Sequence, residues 1–177
     1  MLTPKRIEEA QKNVQQYLQE GILFKIKIKD EKVIKIFISN AKESVKVAEL
    51  LFTGNHSYLW TIVCSYYAMY YIANAVLYHF NYKVGEKISH KVTADGLIVY
   101  VRNKLTESLL EEYDQAQEDA LQIIGIKVDE LVESFDLERA KRSRIQYHTT
   151  EQAKEGKAKT SLERAKKFIL EMEKLMA

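Results

Sequence analysis

From Leu50 to Tyr82 the chain contains no Asp, Glu, Lys or Arg. A run of that length either crosses a bilayer, which takes about 20 apolar residues, or forms the buried central helix of a bundle. The composition of the run favours the bundle. His56, Ser57, Ser65, Asn74, His79 and Asn81 break it up, and its tyrosines carry hydroxyls that need partners. Leu59, Ile62, Val63, Tyr66, Tyr70, Ala73, Leu77 and Phe80 make one side of a helix over His56–Tyr82 apolar, and Trp60, Tyr67 and Tyr71 widen that side. So broad an apolar surface has to be covered by neighbours. Ala68, Ala73 and Ala75 let those neighbours come close.

The rest of the chain supplies them. One Pro and six Gly in 177 residues leave few turn signals, so an all-α bundle is expected. Thr3 before Pro4 reads as an N-cap with proline in the first helical turn. Ile7, Ala10, Val14, Tyr17 and Leu18 follow at helical spacing until Gly21. Leu23 to Lys29 alternates apolar and basic residues, a strand pattern, and a hairpin through Asp30 and Glu31 into Lys32–Ile38 is one way to use it. Ile34, Phe37, Ala41, Val45, Ala48 and Phe52 instead keep a helical stripe that Asp30 can cap. The sequence is therefore read as a short extended arm followed by a helix over residues 30–53. Gly54-Asn55 is a turn, and residues 83–106 are read as a loop and a further helix. Leu109, Leu110, Tyr113, Ala116, Ala120, Leu121 and Ile124 mark another helix, with Gly125 as its stop. A basic helix is read over Glu138–His148. The last helix opens on a Thr160–Glu163 capping box and continues through Leu162, Ala165, Phe168, Ile169 and Met172. Two units result: residues 1–29 as an N-terminal helix and arm, and residues 30–177 as the bundle.

Net charge is only +2, but it is unevenly distributed. Residues 1–106 hold 15 basic and 9 acidic residues, residues 107–136 hold one and 10, and residues 137–177 hold 11 and 6. An acidic belt thus lies beside two basic segments, and the last of these can attract phosphate if it occupies one face. Pro4, Lys5, Arg6, Glu8 and Glu9 interrupt any apolar opening, so no signal peptide is expected.

Several chemistries are disfavoured. The single cysteine, Cys64, excludes an internal disulfide and a Cys-rich zinc site. The glycines are scattered and form no phosphate loop. Histidines 56, 79, 90 and 148 lack the close pairing of a metal helix, so neither a metal nor a cofactor is expected. The tyrosines Tyr66, Tyr67, Tyr70 and Tyr71 can stack a base, or can simply pack the core with their hydroxyls bonded at its edge. The remaining constellation is Arg142-Ser143-Arg144-Ile145-Gln146-Tyr147-His148. Arginine holds phosphate through two parallel hydrogen bonds at constant charge, and histidine passes protons near neutral pH. Such a pair suffices for metal-independent RNA cleavage: the 2′-hydroxyl attacks the adjacent phosphorus, His148 acts as acid or base, and Arg142 offsets the phosphorane charge. Six residues at 100° each leave Arg142 and His148 about 120° apart on a regular helix. Convergence therefore requires a bend, a helix end or a second chain. The other use of these arginines is to pair with the acidic belt.

The chain resembles the HEPN superfamily of small helical nucleotide-binding domains. The resemblance rests on Ala41–Phe52 with Trp60–Leu77 and the run Ser65-Tyr66-Tyr67-Ala68-Met69-Tyr70-Tyr71, on Arg142 and His148 with five residues between them, and on Glu151, Ala153 and Ala165–Ile169 as a closing helix. It spans roughly residues 30–175. It implies an up-down helical bundle, to which residues 1–29 add a helix and an extended arm. It also implies a cytoplasmic homodimer that binds nucleotide or RNA, with a minimal nucleotidyltransferase as partner. Arg142 and His148 carry over as the site, Arg144 and Tyr147 as further phosphate or nucleotide contacts, and Tyr66 or Tyr70 as a contact to a base. A catalytic, toxin-like endoribonuclease is the alternative, and a purely structural dimer module is a third reading. In toxin members a tyrosine follows the histidine by two positions; here Tyr147 precedes His148.

Overall fold

The computed structural model describes residues 2–136 and 151–177. The helices are α1 (Pro4–Gln19), α2 (Glu31–Thr53), α3 (Tyr58–His79), α4 (Ser89–Tyr100), α5 (Glu107–Asp136) and α6 (Glu151–Lys174), with a short 3-10 turn at Arg102–Lys104. Two three-residue strands, β1 (Leu23–Lys25) and β2 (Tyr82–Val84), complete the described elements.

The uncharged run becomes α3, and its composition follows from its position. Fourteen of its 22 residues are buried, so a charge on most of its circumference would have to be stripped of water at a cost of several kcal/mol. α2, α4, α5 and α6 all pack against it. Among its buried polar residues, Asn74 Nδ2 donates to the Tyr70 carbonyl at 2.9 Å and to Thr93 Oγ1 of α4 at 3.2 Å, and Thr61 Oγ1 donates to the Ser57 carbonyl at 2.8 Å; the buried Ser65 hydroxyl has no partner among the described residues. The helix is shorter than the uncharged run. Ser57 Oγ accepts from Trp60 N and caps the start, and Asn81 adopts φ 71°, turning the chain out of the helix into β2.

Ion pairs give the sense of the outer helices. Lys42 meets Glu173 and Glu49 meets Lys166, so α2 and α6 run antiparallel. Glu112 meets Lys167 and Asp119 meets Lys157, which sets α5 antiparallel to α6 as well. The core between them is closed by Tyr113 stacked on Phe168, with ring centroids 5.3 Å apart. The fold is an all-α bundle with alternating helix direction.

The N-terminal reading holds in detail. Thr3 Oγ1 accepts from Arg6 N, and Gly21 takes φ +65° where α1 stops. Asp30 Oδ1 caps α2 through Lys32 N at 2.9 Å. The arm is indeed extended, but its partner is distant: β1 pairs antiparallel with β2, placing Leu23 opposite Val84, Phe24 opposite Lys83 and Lys25 opposite Tyr82. Gly85 permits this ribbon, since a Cβ there would lie 2.8 Å from the Ile22 carbonyl oxygen.

Two helix boundaries differ from the sequence reading. α5 passes through Gly125 without stopping. An interior glycine costs only about 1 kcal/mol relative to alanine, and each further residue of an established helix adds its own hydrogen bond. Thr160 is interior to α6 and caps nothing; its hydroxyl donates back to the Gly156 carbonyl at 2.9 Å, a bond available only within a formed helix. The basic helix read over Glu138–His148 lies outside the described residues.

Candidate functional site

Arg142, Arg144, Tyr147 and His148 lie outside the described residues, between the end of α5 and the start of α6. The described parts of those two helices flank two clefts. One, of about 480 Å³, is lined by Gln115, Asp119, Gly156, Lys157, Thr160 and Arg164. The other, of about 510 Å³, shares Gln115 and Arg164 and adds Arg6 with Glu111, Glu112, Asp114 and Glu118. The acidic belt is thus partly neutralised by α6, through the Lys157–Asp119 contact at 3.4 Å and the Lys167–Glu112 contact at 3.0 Å. Burial raises the Asp114 carboxyl above the usual range, while the Arg6 charge pulls it back and Asp95 and Glu111 push with burial. Four carboxylates against two arginines make the larger cleft unsuited to a phosphate.

The tyrosine cluster of α3 closes around a histidine that spacing alone did not single out. Tyr66 Oη lies 2.7 Å from His90 Nδ1, and the Tyr70 and His90 rings are 4.5 Å apart at a tilt of 39°. Tyr66 is wholly buried, with Tyr67, Tyr113 and His90 all within 6.0 Å of its ring centre. Its faces are occupied by protein, so the base contact considered for Tyr66 has no surface to use; the residue packs the core and orients His90. Tyr70 is only half-buried, as are Tyr67, Tyr71 and His90. Burial lowers the His90 pKa, which keeps its imidazole neutral at physiological pH, and burial raises that of the Tyr66 phenol. A neutral, hydrogen-bonded imidazole thus lies beside half-exposed phenol rings set at angles of 39° to 82° to one another, so a base could stack on one ring, not on the cluster as a plane.

A second buried constellation was also missed. Asp95 on α4 has no exposed side-chain surface and meets Arg6 Nη1 at 2.6 Å. Its other oxygen accepts from Tyr17 Oη at 3.0 Å and Asn13 Nδ2 at 2.9 Å. All three partners belong to α1, so this carboxylate ties the N-terminal helix to the bundle. The only sequence signal for it is an aspartate set among the apolar residues of Val92–Val99. Cys64 is half-buried and its thiol pKa is pushed up by that burial, the opposite of what a nucleophile needs. Among the described residues no group of three or more His, Cys, Asp and Glu is placed to hold a metal, and no helix is long and apolar enough to cross a membrane.

Two comparisons bear on identity. The model of the HEPN domain family matches residues 34–175, from the first turns of α2 to the end of α6 and through residues 137–150. No curated protein matches the sequence.

Proposed function

This chain belongs to the HEPN family, and on that premise we propose that it binds RNA or a nucleotide as a homodimer, with a minimal nucleotidyltransferase as its partner protein. The observation that carries this reading is the continuity of the family match through the basic connection between α5 and α6, which brings Arg142 and His148 inside the matched length. In this reading Arg142 grips a phosphate by paired hydrogen bonds, Arg144 and Tyr147 add contacts, and Tyr70 supplies a ring to a base. Tyr66 contributes indirectly, by holding His90 beside Tyr70.

The Arg142–His148 spacing favours a second reading, metal-independent endoribonuclease action. His148 would take the proton from the 2′-hydroxyl as its oxygen bonds to phosphorus; the P–O5′ bond would break, the 5′-oxygen would leave with a proton from solvent, and a 2′,3′-cyclic phosphate would remain. One experiment separates the two. Purified protein is incubated with structured RNA in EDTA, and binding and cleavage are followed for the native protein, Arg142→Ala and His148→Ala. Binding that weakens in Arg142→Ala, without cleavage by any variant, is the expected result. Cleavage that ends in cyclic phosphate and vanishes in His148→Ala establishes the second reading. No binding of RNA or of nucleotide by the native protein refutes both.

A further inference from the structure

The β1–β2 ribbon carries a surface that the proposed function gives no role. Leu23 is buried and Val84 opposite it half-buried, so one ribbon face packs inward; Phe24 and Lys83, the next pair, face out together. Phe24 is 44% exposed and Ile28 88% exposed. A cleft of about 520 Å³ lies on this outer face, lined by Gly21, Phe24, Lys83, Gly85 and Lys87 together with Glu20 and Glu86. The Glu20 carboxylate is already engaged by Gln16 Nε2 at 2.6 Å.

The charge here is concentrated and unspent. Residues 20–29 and 82–91 hold Lys25, Lys27, Lys29, Lys83, Lys87 and Lys91 against Glu20 and Glu86. Among the described residues none of these lysines forms an ion pair, whereas Lys157, Lys166 and Lys167 of α6 are each paired with a carboxylate of α5 or α2. A row of free ammonium groups beside a flat exposed ring is complementary to a strand of phosphates with unstacked bases. A duplex would offer the ring nothing to stack on, because its bases are already paired and stacked.

We propose that the outer face of this ribbon, continued through Lys27 and Lys29, is a docking surface for single-stranded RNA, with Phe24 stacking on a base and Lys27, Lys83 and Lys87 opposite phosphates. The proposal rests on the RNA-binding reading above and adds to it a second contact region, whose β1 half lies ahead of the family-matched residues.

The test is fluorescence anisotropy of the full chain with a labelled single-stranded RNA of about 15 nucleotides, in EDTA, between about 50 and 200 mM KCl. Lys27→Gln/Lys83→Gln/Lys87→Gln is expected to bind at least about tenfold more weakly at the lower salt, with a salt slope shallower by up to about 2, since each single-strand phosphate contact contributes about 0.7. Phe24→Ala is expected to lose about tenfold at an unchanged slope. The three-arginine version retains binding. Native affinity and slope in the glutamine variant, with binding lost in Arg142→Ala, would overturn the ribbon and leave RNA binding standing. Absence of RNA binding by the native protein would remove both. Loss of binding in the arginine version would show that the glutamine effect is not one of charge. Unchanged RNA affinity in the glutamine variant, with loss of sedimentation on phosphatidylserine vesicles, would assign the ribbon to a lipid surface instead.

Discussion

Replacing Arg6 by alanine tests what holds α1 to the bundle. The change leaves the wholly buried Asp95 carboxylate with Tyr17 and Asn13 bonded to one oxygen and nothing charged at the other. Breaking a buried pair from one side costs about 3–5 kcal/mol. The Arg6 side chain is 28% exposed, and the solvent that screens it places the expected loss near the lower end, at about 3 kcal/mol. For a chain of this size about 1 kcal/mol moves Tm by 2–4 °C, so a fall of about 6–12 °C is expected. Urea unfolding is expected to show a lower midpoint at unchanged m. In the double variant Arg6→Ala/Asp95→Ala the buried charge is gone, and the two losses are expected to fall short of additivity by at least about 1 kcal/mol. An Arg6→Ala protein within about 0.5 kcal/mol of native, or a strictly additive double variant, would refute the reasoning.

Three further outcomes follow from the same contacts. His90 has a lowered folded-state pKa, so the unfolded chain takes up its proton first; stability is full above the unfolded value near 6.5 and declines as pH falls through it. His90→Gln is expected to flatten that decline in melts recorded from about pH 7.5 to 5. Asp114 has a raised pKa and therefore opposes folding once pH rises above its unfolded value near 3.9. Asp114→Asn is accordingly expected to raise Tm at neutral pH and to leave it unchanged near pH 3. Gly85→Ala places a methyl against the Ile22 carbonyl, which already accepts from Gly85 N at 2.8 Å; a loss of about 1–3 kcal/mol is expected in denaturant titration.

Local signals carried the first half of the molecule. Thr3, Asp30 and Gly21 specify helix ends through their own backbone and side-chain bonds, and such bonds span only two to four residues. Whatever depended on distant partners was not legible. The alternation in Leu23–Lys29 marks an extended segment but does not say that Tyr82–Val84 receives it. Thr160 and Glu163 satisfy the capping-box spacing equally well inside a helix, and only the Thr160–Gly156 bond distinguishes the cases. His90 and Asp95 become conspicuous through Tyr66 and Arg6, residues far from them in the chain. For the candidate site, the Arg142–His148 spacing is all that could be read, because the geometry that would complete it depends on how the chain closes between α5 and α6.

The ribbon also imposes an order of assembly. α2 and α3 are joined by a four-residue turn, so their mutual packing requires closure of only a short loop. β1 can find β2 only after that hairpin exists, since the whole of α2 and α3 separates the two strands. Late docking of the N-terminal segment is therefore expected, and its amides should exchange with deuterium before those of the hairpin beneath it.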